Sequence, residues 1–182
     1  MARGPDHSGA AITIQKIKPF GDGRMILSTT SINLEGRLDD RHSAYHENRS
    51  PPLAWTPVRN AAAYAVIVED PDAPRGLPFV HWLIWNIPGE AVSLPEGLPP
   101  HESLGLVGGA TQGRNDNATI GYFGPRPPVG HGVHRYHFQI FALAAPLTFA
   151  PYTPLEIIVS ALKGDTLADG DLIVTYEAPN PQ

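Results

Sequence analysis

Tyr64-Ala65-Val66-Ile67-Val68-Glu69-Asp70-Pro71-Asp72-Ala73-Pro74, with Val80-His81-Trp82-Leu83-Ile84-Trp85-Asn86-Ile87 a few residues further on, decides the fold. The first run is rich in β-branched residues and stops at Asp70-Pro71. The second is apolar on both parities and stops at Pro88-Gly89. Both read as buried strands. If they run antiparallel, the loop between them closes at one edge of a sheet, and Asp70, Asp72 and His81 share that edge. Pro127-Pro128-Val129-Gly130-His131-Gly132-Val133-His134-Arg135-Tyr136 is a second Pro/Gly loop that feeds another strand. If it closes at the same edge, acidic, imidazole and phenolic groups converge on one rigid pocket. Neighbouring carboxylates favour charged imidazoles, and such a pocket suits an anion, phosphate first.

Outward from this pair, Ile12, Ile14 and Ile17, then Met25 to Ile32, suggest two early strands. Residues 33–63 read as irregular, with Arg41, Glu47, Asn48 and Arg49 marking a solvated loop around His42 and His46. Residues 89–130 form a long Gly/Pro/Asn-rich stretch, of the kind that carries function in a compact domain. Tyr136, Phe138, Ile140 and Ala142 alternate with Arg135, His137 and Gln139, a half-exposed strand pattern. Thr153-Pro154-Leu155-Glu156 has an N-cap, a proline at the first helical position and a capping-box glutamate. Leu155, Ile158, Val159 and Leu162 then follow helical spacing, and Gly164 closes the helix. Asp171 to Tyr176 reads as a last strand. Strands do not alternate with helices, so the expected fold is mainly β, a two-sheet antiparallel sandwich with one late helix and long Gly/Pro-rich loops. Residues 1–11 read as a flexible tail and 12–182 as one domain.

Composition narrows the partners. The 182 residues hold 20 prolines, 18 glycines and no cysteine, and the net charge is −5. There is no basic stripe for nucleic acid, no thiolate nucleophile or zinc–thiolate site, and no apolar run of about 20 residues to span a membrane. The polar N-terminus lacks a signal-peptide core, so a cytoplasmic location is expected. His131, His134 and His137 resemble a metal run, but strand parity sets His134 apart from the other two. No metal or other cofactor is expected.

The Asp70-to-Pro74 loop with His81-Trp82, and Gly121-Tyr122-Phe123-Gly124-Pro125-Arg126-Pro127-Pro128 leading to His134-Arg135-Tyr136-His137-Phe138, resemble the phosphatidylethanolamine-binding protein family, most closely its bacterial Raf-kinase-inhibitor-like branch. Ser50-Pro51-Pro52-Leu53-Ala54-Trp55 also fits. The resemblance implies a small pocket for phosphate-type anions, with Asp70, Asp72, His81, His134 and Tyr136 as pocket residues and Pro74 and Pro128 shaping the walls. It implies a phosphate-containing small molecule as ligand (a phospholipid headgroup, phosphoethanolamine or a nucleotide-like molecule), a homodimer, and a protein partner such as a kinase. Arg126 stands where the family usually has a small residue; an arginine there adds positive charge or narrows the entrance. Asp165 stands where bacterial members tend to carry histidine, which separates the terminal helix from the pocket. Two other readings compete with anion binding: an acid–base enzyme using Asp70, His81 and His134, and an interaction scaffold with a vestigial pocket. On the residues alone, Asp70 and Asp72 also read as ordinary turn formers.

Overall fold

The computed structural model describes residues 10–21 and 23–179. Its strands are β1 (Leu27–Ser28), β2 (Leu53–Trp55), β3 (Ala63–Asp70), β4 (Phe79–Pro88), β5 (Ser93–Leu94), β6 (Ser103–Leu104), β7 (Ala110–Gln112), β8 (His134–Leu143) and β9 (Thr166–Tyr176). One α-helix, α1 (Leu155–Asp165), precedes β9. The strands form two antiparallel sheets, β1-β2-β5 and β6-β7-β4-β3-β8-β9. The mainly β, two-sheet reading with one late helix is correct.

The large sheet is built on β3, the strand whose eight residues are all buried. One of its faces packs against the small sheet, through Val66, Val68, Trp82, Ile84, Phe138 and Ile140 with Leu27, Leu53 and Trp55. The other face, with Ile67, Leu83, Trp85 and Phe141, is covered by Ile158 and Leu162 of α1. Burial on both faces explains why β3 and β4 are apolar on both parities.

Several local expectations fail. Ile12 and Ile17 flank, and Ile14 lies within, a short 3₁₀ turn, Thr13–Lys16, in place of a strand. Its backbone is claimed by side chains of the large sheet: Thr13 N–H donates to Glu69 and Ile14 N–H to Gln139. Of Met25 to Ile32, only Leu27–Ser28 pairs as a strand. Within 41–49, Arg41 and residues 46–49 are exposed as a solvated loop would have them, but His42 and Ser43 are fully buried. β8 is half exposed only at its start; Gln139 is buried, with its amide donating to Glu69. Thr153 does not cap α1, which starts one residue later without a side-chain cap and runs through Gly164. Its end is set by β9 starting at once: Thr166 Oγ1 donates to the Leu162 carbonyl, and Ala144 N–H takes the Asp165 carbonyl. Residues 1–9 of the expected tail lie outside the described residues.

Candidate functional site

β3 lies between β4 and β8 and is antiparallel to both. Asp70 at its end pairs with Phe79, and Glu69 with His137. The end of β3 therefore meets the beginnings of the other two, and the topology brings Asp70, His81, His134 and Tyr136 to one edge. A bulge helps. Val68 pairs with Trp82 but Glu69 with Val80, which leaves His81 as the extra residue. Strict alternation would separate His81 from Trp82. The bulge turns both to one face, with Trp82 in the main core and the His81 ring edge-on to Tyr136 at 5.1 Å.

These groups line a cavity of about 330 Å³, small for a ligand site. Asp70, Pro74, His81, Arg126, Pro128, His134 and Tyr136 lie on its wall; Asp72 does not. Both Asp72 oxygens face Arg135, at 2.6 Å to its Nη2 and 2.8 Å to its Nε. Burial alone would raise the Asp72 carboxyl, but these bonds and the guanidinium charge carry it below the usual carboxylate range. Asp72 thus pins the loop to β8. A larger cavity of about 400 Å³, bordered by Lys16, Arg114 and the start of α1, holds none of these eight residues.

Asp70, His134 and His131 form a chain. Asp70 Oδ2 accepts from His134 Nδ1 at 2.8 Å, and the other ring nitrogen, His134 Nε2, shares a hydrogen bond with His131 Nδ1 at 2.6 Å. The other Asp70 oxygen accepts the Asp72 N–H at 2.7 Å. Gly130 and Gly132, both at positive φ, make the turn that presents His131. The sequence reading weighed His131 only as a metal ligand; its 131/134 spacing across the strand start was the available clue. Among the described residues no group of three or more metal-ligating side chains converges.

His81 and Tyr136 differ from that pair. His81 Nδ1 donates to the Phe123 carbonyl at 2.6 Å, and its Nε2 has no hydrogen bond among the described residues. Burial pushes the imidazole below its ordinary value, against the opposing pull of that carbonyl and of Asp70. The expectation of a charged imidazole fails here because desolvation outweighs the nearby carboxylate. The Tyr136 hydroxyl is buried with no partner among the described residues. Burial, with Asp70 second, holds its proton well above the ordinary tyrosine range. An O–H donor without an acceptor and an imidazole nitrogen without a donor thus face one small cavity. The wall carries no serine, threonine or cysteine to act as a nucleophile.

Residues 121–128 close the site and are held by the 42–48 segment, of which His42 and Ser43 are buried. Tyr122 Oη donates to the His42 carbonyl, Tyr45 Oη to the Pro127 carbonyl, and Gly124 N–H to Asn48 Oδ1. Arg126 sits exposed on the rim, 5.8 Å above the Tyr45 ring. α1 contributes nothing to the wall.

Residues 28–177 match the sequence profile of the family described as phosphatidylethanolamine-binding protein. The chain belongs to that family. It is 40% identical over 153 residues to a UPF0098 protein of Methanothermobacter thermautotrophicus, covering 84% of this chain and 98% of the relative. A Mycobacterium tuberculosis relative that bears a lipoprotein name, LppC, is 38% identical over 130 residues, 71% of this chain and 61% of its own. Among solved structures, Escherichia coli YbcL, described as a member of the mammalian PEBP family, superposes with a TM-score of 0.79 at 28% identity, covering 86% of this chain and all of YbcL. CT736 of Chlamydia trachomatis, described as a PEBP homologue, gives 0.74 at 30% identity, covering 86% and 99%.

Proposed function

We propose that the cavity at the β3–β4–β8 edge binds phosphate-type anions, phosphate monoesters foremost, without chemical conversion. The observation that carries this reading is the buried, unpartnered Tyr136 hydroxyl beside the unbonded Nε2 of a neutral His81. A buried polar group without a partner costs roughly 1–3 kcal/mol, so a site that keeps one gains when an acceptor arrives. A singly protonated phosphate matches both groups: one oxygen accepts from Tyr136 and its P–OH donates to His81 Nε2. A diester has no such proton, and His81 must then take one from solvent against its burial. His134 orients the wall through Asp70. It contacts an anion directly only by exchanging its bond to His131. Family membership supports a ligand-binding role. A homodimer and modulation of a partner protein rest on the family resemblance alone.

Tyr136→Phe tests the reading. Its affinity for glycerol 3-phosphate should fall about 10- to 100-fold, the loss for one hydrogen bond to a charged acceptor. Its melting temperature without added phosphate should hold or rise, because an unsatisfied hydroxyl is removed. Dimethyl phosphate, a diester, should bind the unmodified protein more weakly than the monoester at neutral pH. Unchanged affinity in Tyr136→Phe, measured by titration calorimetry, would refute the assignment.

A further inference from the structure

We propose that Arg126 makes this cavity select phosphate monoesters whose substituent carries a second negative charge, in preference to phosphoethanolamine. The inference rests on the phosphate reading above and adds the chemistry of the substituent.

Two guanidinium groups reach the wall, and they differ in their partners. Arg75 is ion-paired to Asp116 at 3.0 Å and lies over the Phe79 ring at 5.5 Å. Arg126 has no ion pair among the described residues. It rests over Tyr45, whose hydroxyl is tied to the Pro127 carbonyl at 2.6 Å, so the ring that supports the guanidinium belongs to the same buttress as the loop carrying it.

Among the described residues each carboxylate around the cavity is either buried or ion-paired. Asp70 gives its two oxygens to the Asp72 N–H and to His134. Asp72 gives both of its oxygens to Arg135. Asp116 accepts from the Val80 N–H at 2.9 Å and from Arg75. The aromatic faces that could hold a cation are also taken: Phe79 lies under Arg75, and Phe123 stacks on His81 with ring centroids 5.8 Å apart. Among the described residues Arg126 is thus the lining cation without an ion pair, while Asp70 is buried and Asp72 and Asp116 are ion-paired. A cavity of about 330 Å³ has room for a phosphate and a two-carbon substituent, and Arg126 is one of the residues that line it. A carboxylate there is attracted and an ammonium repelled. That is a difference of two unit charges, about tenfold or more in affinity at the effective dielectric of a protein surface.

2-Phosphoglycolate and phosphoethanolamine are close in size and differ at that terminal group, and inorganic phosphate serves as the reference. Titration calorimetry of the full chain should show 2-phosphoglycolate binding about tenfold more tightly than phosphoethanolamine. Arg126→Gln should bring the ratio to within about threefold, and Arg126→Glu should invert it. Arg126 is exposed, and thermal melting checks that both variants fold. Equal or tighter binding of phosphoethanolamine by the unmodified protein overturns the inference. So does an unchanged ratio in Arg126→Gln. In either case measurable binding of inorganic phosphate leaves the parent reading intact. If none of the three probes binds, both fall together.

Discussion

A buried, neutral imidazole ties stability to pH at His81. Its folded pKa lies below the ordinary 6.5 because burial disfavours the charged ring. In the unfolded chain the ring protonates as pH falls through about 6.5, while in the folded chain it does not until the lower value is reached. The unfolded state binds more protons in that window, so stability is full above about pH 6.5 and is lost as pH falls toward the folded pKa. His81→Gln should remove this component. Chemical denaturation between about pH 5 and 7 should show the unmodified protein losing up to about 1 kcal/mol per pH unit more than the variant. Parallel curves for the two would show that His81 is not held neutral. Residue identities at the site were legible, since strand ends and parity placed Asp70, His81, His134 and Tyr136 together. Charge states and partners were not. Whether desolvation or a carboxylate governs His81, and whether Asp72 faces the cavity or Arg135, depends on packing that no local motif records.

At the scale of elements, the site depends on contact between two segments about 80 residues apart. Gly124 shows how close that contact is: a Cβ there would stand 2.1 Å from the His42 carbonyl oxygen and 2.9 Å from the Ala44 nitrogen. Backbone on both sides cannot yield as a side-chain tip does. Gly124→Ala should therefore displace the 121–128 loop, lower stability by about 1–3 kcal/mol, and weaken phosphate binding by moving the Phe123 carbonyl off His81. A melting temperature and affinity equal to those of the unmodified protein would show that the loop is not held this way. β3, β4, β8 and β9 were readable from their apolar runs, and α1 from its periodicity. The ends of α1 were misread because β9 starts immediately at Thr166, so strand pairing decides what capping motifs ordinarily would. The 42–48 segment carries charged neighbours and no periodicity, and the burial of His42 and Ser43 within it comes from long-range packing. The bulge at His81 follows from pairing register, which one strand's sequence does not contain.

For the molecule as a whole, the two sheets and the helix make a frame that leaves one edge of the large sheet to two loops. From the sequence their meeting there is conditional on antiparallel pairing, and the strand order supplies that condition. Among the described residues no helix is long and apolar enough to cross a membrane, and a relative bears a lipoprotein name, so family membership does not assign a compartment. The central claim is that the family's cavity, as this chain builds it, complements a protonated phosphate through a neutral imidazole and a protonated phenol. The most direct test is the affinity for glycerol 3-phosphate by titration calorimetry across about pH 6 to 8.5. With its pKa held below the ordinary 6.5 by burial, His81 is mostly neutral over the upper part of that range, while the monoester loses its P–OH above a second pKa of about 6. Affinity should therefore fall as pH rises, by up to about tenfold per unit, with a proton taken up on binding. An affinity that stays flat or increases across the range would contradict the account.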